Sequence, residues 1–243
     1  MKEHKILLVT GASSDVGAAL ISQVSTNYDK VIAHYSRSRS IVSALQQKFG
    51  EKIIPLQANF SDPVSIKNML TTIDEKNIWP DHIVHFVAPK AYNQKFDKDV
   101  LENFDTDWDV SVKSIIQVLL ASIPHMKKQK YGKIIFMLTS YVLNIPVKYQ
   151  TSYVTTKYAL LGLMKSLAVE YADKGITVNA VSPEMIETKF LAEIPTLIVE
   201  KNAMISPLGR NLTVHDVVPT YEFLLSDEAD AISGVNIPIT AGV

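Results

Sequence analysis

Residues 5–20 read KILLVTGASSDVGAAL, and this stretch decides the fold. Its first part, from Lys5 to Thr10, is a short apolar run rich in strand-forming residues, which is typical of a strand covered on both faces. Gly11 and Gly17 then enclose a small polar turn that opens a helical pattern. Glycine lets a backbone approach a pyrophosphate, and a helix N-terminus offers free N–H groups and a favourable dipole. The stretch therefore indicates a nucleotide-binding turn between a strand and a helix.

Six further short apolar runs follow, with longer helical patterns between them. This alternation predicts an α/β fold, a Rossmann-type doubly wound parallel sheet of about seven strands with helices on both faces. Because no linker or internal repeat occurs, we expect a single three-layer domain over residues 1–243. The runs are KVIAHY at 30–35, KIIPLQ at 52–57, HIVHFV at 82–87, KIIFML at 133–138, ITVNAV at 176–181 and VNIPI at 235–239.

Three longer segments complete the pattern. Helices are predicted over roughly 109–129 and 152–173. The segment 187–212 breaks the rhythm of strands and helices, with two prolines around an apolar stretch. Since ligands bind beyond the carboxyl ends of parallel strands, this segment is a candidate substrate lid. A pair of surface helices without a ligand role is the alternative interpretation.

The composition excludes several classes of protein. A chain of 243 residues with 47% hydrophobic and 20% charged residues is ordinary for a folded domain. Its net charge of −1 provides no electrostatic attraction for nucleic acid or an anionic membrane. The absence of cysteine rules out disulfides and thiolate chemistry, and the six histidines show no metal-binding spacing, so no metal is expected. No apolar stretch is long enough for a signal peptide or a membrane span, so we expect a cytoplasmic protein.

Ser140, Tyr153 and Lys157 form the candidate catalytic group. Tyr153 and Lys157 are four residues apart in a helical pattern, so they share a face, and a nearby ammonium is expected to lower the pKa of the phenol. Ser140 follows a strand run and can hydrogen-bond a substrate oxygen. Taken alone, a Tyr four residues before a Lys often occurs by chance, and the alternative interpretation is an amphipathic surface pair. Its place behind a nucleotide-type turn and a strand-end serine favours catalysis.

With these motifs the chain resembles the short-chain dehydrogenase/reductase family over nearly its whole length. The resemblance is carried by TGASSDVG at 10–17, YVTTK at 153–157, ITVNAVSPEMIET at 176–188 and FLLSDEADAISGVNIPITAG at 223–242. PLGR at 207–210 makes it most similar to the 3-oxoacyl-[acyl-carrier-protein] reductases. The resemblance implies an NAD(P)-dependent oxidoreductase that acts on CH–OH or C=O groups. It also implies a homodimer or homotetramer, with the two long helices as candidate interfaces.

The resemblance assigns roles to individual residues. Tyr153 would protonate the carbonyl oxygen, Lys157 would hold the ribose hydroxyls and tune Tyr153, and Ser140 would orient the carbonyl. Ser111 stands where the family has a catalytic Asn. Because the serine side chain is shorter, a water is expected to bridge the gap in the proton relay. The expected cofactor-binding residues are Gly11, Ser13, Ser14, Asp15, Val16, Gly17, Ser36, Arg37, Asn59, Phe60, Val87, Ala88, Tyr153, Lys157, Pro183, Ile186 and Thr188.

Several positions depart from the family's pattern. Asp15 stands where a third glycine is usual, and we expect its side chain to turn to solvent or to cap the helix. Asn59 replaces the Asp that contacts adenine and can act through its amide. Glu184 replaces a glycine after Pro183, and HFVA at 85–88 replaces Asn-Asn-Ala-Gly. Because the three reacting residues remain, an active enzyme is favoured over a degenerate scaffold.

The choice of cofactor depends on AHYSRSRS at 33–40. A carboxylate here would bind the adenosine ribose of NAD, whereas this chain has Ser36, Arg37 and Arg39 and no acid. That setting suits a 2′-phosphate, so NADPH is expected over NADH. The alternative is that the two arginines only solubilise the start of a helix.

The predicted function is the NADPH-dependent reduction of a ketone, with Tyr153 as proton donor. The resemblance implies a 3-oxoacyl thioester carried on acyl carrier protein or CoA as the substrate, and the mainly apolar residues of segment 187–212 favour an acyl chain over a sugar. A sugar or polyol dehydrogenase on the same fold is one alternative. A nucleotide-sensing scaffold without turnover is another, motivated by Asp15, Ser111 and Glu184.

Overall fold

The apolar runs form one parallel sheet. A computed structural model describes residues 4–90 and 92–242, and within them the strand order is β3-β2-β1-β4-β5-β6-β7, with every neighbouring pair parallel. The order reverses between β1 and β4, the place where doubly wound sheets bind ligands. This confirms the predicted fold. The strands are β1 Ile6–Thr10, β2 Lys30–Tyr35, β3 Ile53–Gln57, β4 His82–His85, β5 Gly132–Met137, β6 Ile176–Pro183 and β7 Asn236–Ile239.

Helices cover both faces of this sheet and complete three layers. Successive strand residues point to opposite faces, so the fully buried Leu7 and Leu8 belong to two separate apolar clusters. Helices α1, α2 and α8 contribute to the cluster on one face, and α3, α5 and α6 to the other. The helices are α1 Asp15–Val24, α2 Arg39–Phe49, α3 Pro63–Glu75, α4 Leu101–Trp108, α5 Ser114–Gln129, α6 Thr151–Glu170, α7 Thr196–Ile205 and α8 Val214–Leu225.

The helix predicted over 109–129 is part of a longer helical run. The run begins at Leu101, and a π-helical turn over Asp109–Lys113 joins α4 to α5. The sequence of α4 is mostly polar, and its only buried residue is Asp107, so hydrophobic periodicity gave no signal for it. The other predicted helix is α6, followed by a short 3-10 turn over Ala172–Lys174. Among the described helices none is long and apolar enough to span a bilayer.

Segment 187–212 leaves the carboxyl edge of the sheet and returns to it. Its two ends are joined by a parallel bridge between Ile186 and Leu212. There the Glu187 N–H donates to the Leu212 carbonyl at 2.8 Å. Between these ends lie a 3-10 turn over Lys189–Glu193 and helix α7, which has no buried residue. The two ends of the segment are thus held together, and every residue of α7 between them is partly or fully exposed.

Candidate active site

The turn between β1 and α1 is built around two glycines. Gly11 adopts φ +75°, a left-handed conformation that favours glycine. A Cβ on Gly17 would lie 2.5 Å from the Gly11 carbonyl oxygen, so only glycine fits there. Ser14 caps α1, because its Oγ accepts from the Gly17 N–H at 3.0 Å. The turn therefore presents the backbone and the start of α1 as the sequence predicted.

His34 lies on β2 and stabilises this turn, although it is not among the predicted site residues. Its Nδ1 accepts from the Gly11 N–H at 3.1 Å, so Nε2 carries the proton and donates to the Ala58 carbonyl at 3.1 Å. Burial lowers the pKa of His34 to about 4, which keeps the ring neutral. The only signal in the sequence is a polar residue within a buried strand run.

Asp15 takes neither of the positions expected for it. Ser14 is the helix cap, and the Asp15 carboxylate accepts from the backbone N–H of Lys189 at 2.7 Å. The Lys189 ammonium lies 4.0 Å from the same carboxylate. Asp15 thus links the nucleotide-type turn to segment 187–212 across the carboxyl edge of the sheet.

A cavity of about 800 Å³ opens at this edge. Its walls come from the β1–α1 turn, the ends of β4, β5 and β6, the start of α6 and segment 187–212. Several apolar side chains of that segment line it, including Phe190, Leu191, Ile194 and Ile198. The predicted site residues on its walls are Ser13, Ser14, Asp15, Val16, Ala88, Ser140, Tyr153, Lys157, Pro183, Ile186 and Thr188.

Tyr153 and Lys157 lie together on the wall formed by α6. The Lys157 Nζ is 5.5 Å from the centre of the Tyr153 ring and donates to the Met137 carbonyl at 2.8 Å. Burial lowers the pKa of Lys157 to about 8. Burial also raises the pKa of Tyr153 above its ordinary range, although a hydrogen bond with Thr139 opposes this. Desolvation of the buried phenol thus opposes the lowering of its pKa that we expected from Lys157.

Ser140 presents an unpaired hydroxyl to the cavity. It follows β5, is 1% exposed, and its Oγ has no hydrogen-bond partner within the described residues. Leaving a buried hydroxyl unpaired costs free energy, so such a group is poised to bind an incoming oxygen. The role of Ser140 in orienting a carbonyl group stays a prediction.

Ser111 lies in the π-helical turn and does not line the cavity. Its carbonyl accepts from Nε2 of His85 at 3.2 Å, while Nδ1 of His85 accepts from the Thr10 hydroxyl at 2.8 Å. Burial lowers the pKa of His85 to about 3, so the ring is neutral. His85 is thus a packed strand residue that joins β1 and β4 to the turn carrying Ser111.

The remaining predicted residues also lie off the cavity wall. Arg37 is exposed beyond β2, where Ser38 is the residue that lines the cavity. Asn59 accepts from the Ser61 hydroxyl at 2.9 Å, and Phe60 stacks on the His34 ring at 4.0 Å. The residues outside the wall are Gly11, Gly17, Ser36, Arg37, Asn59, Phe60, Val87 and Ser111.

Comparison with known proteins identifies the family. A family model described as "Enoyl-(Acyl carrier protein) reductase" matches residues 11–243. The chain belongs to the short-chain dehydrogenase/reductase family. It is therefore an NAD(P)-dependent oxidoreductase.

Relatives of similar length support this membership in the short-chain dehydrogenase/reductases. The 3-oxoacyl-[acyl-carrier-protein] reductase FabG of Staphylococcus aureus strain Mu50 is 30% identical over 246 residues, covering 100% of this chain and 99% of that protein. The FabG of Escherichia coli K12 is 30% identical over 248 residues, covering 99% and 98%. The crystal structure of levodione reductase superposes with a TM-score of 0.88 at 22% identity, covering 98% of this chain and 96% of that one. At 22% identity, this similarity shows that the two proteins share a fold.

Proposed function

We propose that this short-chain dehydrogenase/reductase reduces a ketone with NADPH, and that the ketone is a 3-oxoacyl thioester on acyl carrier protein or CoA. The observation that carries the proposal is the grouping of Ser140, Tyr153 and Lys157 on one apolar cavity. The mainly apolar side chains of segment 187–212 favour an acyl chain over a sugar or polyol. The relatives named 3-oxoacyl-[acyl-carrier-protein] reductase support the same substrate class.

The cleft fits a nicotinamide dinucleotide. A Cβ on Gly17 would collide with the Gly11 carbonyl oxygen at 2.5 Å, so the glycine keeps the strand-to-helix turn tight, and the N-terminus of α1 behind it favours an anion such as a pyrophosphate. Ser13, Ser14, Ile186 and Thr188 line the path from this turn to Tyr153 and would hold the dinucleotide. When bound, the dinucleotide supplies the hydride.

The chain's own residues supply binding and the proton. Ser140 Oγ would donate a hydrogen bond to the substrate carbonyl, which satisfies the unpaired hydroxyl. Tyr153 carries its proton at neutral pH, as an ordinary phenol does, and would donate it to the carbonyl oxygen. The pKa raised by burial makes it a weaker acid, so the transfer would depend on a positive charge on the neighbouring Lys157. Lys157 would bind the ribose hydroxyls beside Tyr153. The apolar walls would exclude water around the acyl chain.

NADPH selectivity is proposed for Arg37. The end of β2 bears no acid that would bind a ribose diol, and the exposed Arg37 that follows it would bind a 2′-phosphate. Titration of cofactor fluorescence should give a lower Kd for NADPH than for NADH. Arg37→Ala should raise the Kd for NADPH and leave that for NADH near its original value. Equal Kd values for NADPH and NADH in the unaltered protein would contradict the proposed recognition of the 2′-phosphate.

Turnover separates the three candidate functions. Initial rates should be measured with acetoacetyl-CoA and NADPH, and with a panel of sugars and polyols and NADP⁺. Reduction of acetoacetyl-CoA supports the proposal, whereas oxidation of polyols alone would favour the sugar or polyol dehydrogenase. Cofactor binding without turnover of any substrate would favour the nucleotide-sensing scaffold. The cytoplasmic location, the single domain and the homodimer or homotetramer stay predictions.

A further inference from the structure

Tyr149 lies in an unusual backbone conformation at the edge of the cavity. Its φ is +70°, in the left-handed region, where an aromatic side chain is sterically disfavoured. Glycine would adopt this conformation without strain, so the chain keeps a bulky residue where a small one would fit the backbone better. Such strain tends to persist where the side chain has a function and its surroundings hold it in place.

Two hydrogen bonds hold this part of the chain. The Tyr149 carbonyl accepts from the Gln94 N–H at 2.8 Å, and the next residue, Gln150, donates through Nε2 to Asn93 Oδ1 at 3.2 Å. The loop before α6 is thus tied to the segment after β4. Because α6 begins at Thr151, the tie lies directly beside the helix that carries Tyr153.

The Tyr149 side chain is available to a ligand. It lines the cavity and remains 49% exposed, and the neighbouring Val147 lines the cavity as well. Segment 187–212 adds Phe190 and Ile198, each 43% exposed, to the same cavity. Apolar surface thus reaches the cavity from two separate parts of the chain.

We propose that Tyr149 is a specificity-determining residue that selects ketones bearing an apolar chain of several carbons. Its ring packs against that chain, while Ser140 and Tyr153 hold the carbonyl. Burying the exposed face of the ring against an apolar chain lowers the free energy of binding. A short substrate does not extend to the ring, so its binding gains nothing from this contact. This inference rests on the proposed ketone reduction.

The test compares two substrates that differ only in chain length. We would measure kcat/KM with NADPH for ethyl 3-oxobutanoate and ethyl 3-oxooctanoate, using the unaltered protein, Tyr149→Gly and Tyr149→Phe. Tyr149→Gly relaxes the backbone and removes the ring, whereas Tyr149→Phe keeps the ring. We expect Tyr149→Gly to lower the preference for the octanoate ester by roughly ten-fold, the scale of a lost apolar contact. Tyr149→Phe should stay near the original preference.

Melting temperature distinguishes specificity from a structural role. Relief of the left-handed strain should leave the melting temperature of Tyr149→Gly unchanged or raise it. A lower melting temperature with an unchanged substrate preference would overturn the inference, as would an equal loss of kcat/KM for both esters. If the unaltered protein reduces neither ester nor acetoacetyl-CoA, the proposed function fails and the inference fails with it. An unchanged preference in a protein that does reduce these ketones overturns only the role of Tyr149.

Discussion

The Asp15 carboxylate accepts a 2.7 Å hydrogen bond from the backbone N–H of Lys189, a residue 174 positions further along the chain. Asp15 is the first residue of α1 and lines the cavity. Asp15 therefore places a negative charge at the helix N-terminus, where we propose that a pyrophosphate binds, and its contact with Lys189 ties segment 187–212 to that turn.

Asp15→Asn should tighten cofactor binding. The amide oxygen can still accept from Lys189, while the charge that repels a pyrophosphate is removed. We expect the Kd for NADPH to fall by up to about ten-fold at low salt, with a smaller effect at high salt. Asp15→Ala is the matched control that also loses the acceptor. Weaker binding by Asp15→Asn would mean that the carboxylate assists the cofactor.

The features that could be predicted from the sequence are those that depend on residues close together along the chain. Apolar runs located the strands, and the spacing of Tyr153 and Lys157 predicted that they share one face of a helix, a face that lies on the cavity wall in the structure. The Asp15–Lys189 contact joins distant parts of the chain, so no local pattern reveals it. The raised pKa of Tyr153 depends on burial, which sequence spacing does not measure. The strain at Tyr149 likewise belongs to the folded backbone.

Replacing Gly17 by alanine should destabilise the turn. The added methyl group would meet backbone atoms, 2.5 Å from the Gly11 oxygen and 3.0 Å from the Ala12 Cα, and these cannot move without shifting the turn. We expect the free energy of unfolding in urea to fall by about 1–3 kcal/mol. Gly162→Ala in α6 is the control, since among the described residues no atom beyond its chain neighbours and the surrounding helix backbone lies within 4 Å of the added Cβ, and it should gain about 0.5–1 kcal/mol. Equal effects of the two substitutions would refute this account of the turn.

Replacing His85 should weaken both the core and the turn that carries Ser111. His85→Leu leaves the Thr10 hydroxyl and the Ser111 carbonyl without their ring partner. Each lost partner costs about 1–3 kcal/mol when its group stays buried, so the free energy of unfolding should fall by about 2 kcal/mol or more. His85→Gln, which can donate and accept, should recover part of this loss. Urea unfolding of the three proteins tests the prediction, and an undiminished stability of His85→Leu contradicts it.

Lys157 should make stability depend on pH in the alkaline range. Burial lowers its pKa to about 8 in the folded chain, against 10.5 for an ordinary lysine. Between these values the unfolded chain binds more protons, so the free energy of unfolding should rise with pH, by at most about 1.4 kcal/mol per pH unit. Urea unfolding at several pH values from 7 to about 10 would measure this against Lys157→Met, which lacks the titrating group. Parallel curves for the two proteins would show that Lys157 keeps an ordinary pKa.

The most direct test of the account is the turnover of acetoacetyl-CoA by Tyr153→Phe. The substitution removes only the hydroxyl that holds the proton and keeps the ring beside Lys157. We predict that the unaltered protein oxidises NADPH with this substrate and that the variant loses about a hundred-fold or more of the rate. The Kd for NADPH and the free energy of unfolding should stay close to their original values. A variant that keeps the full rate would contradict the assignment of Tyr153 as proton donor.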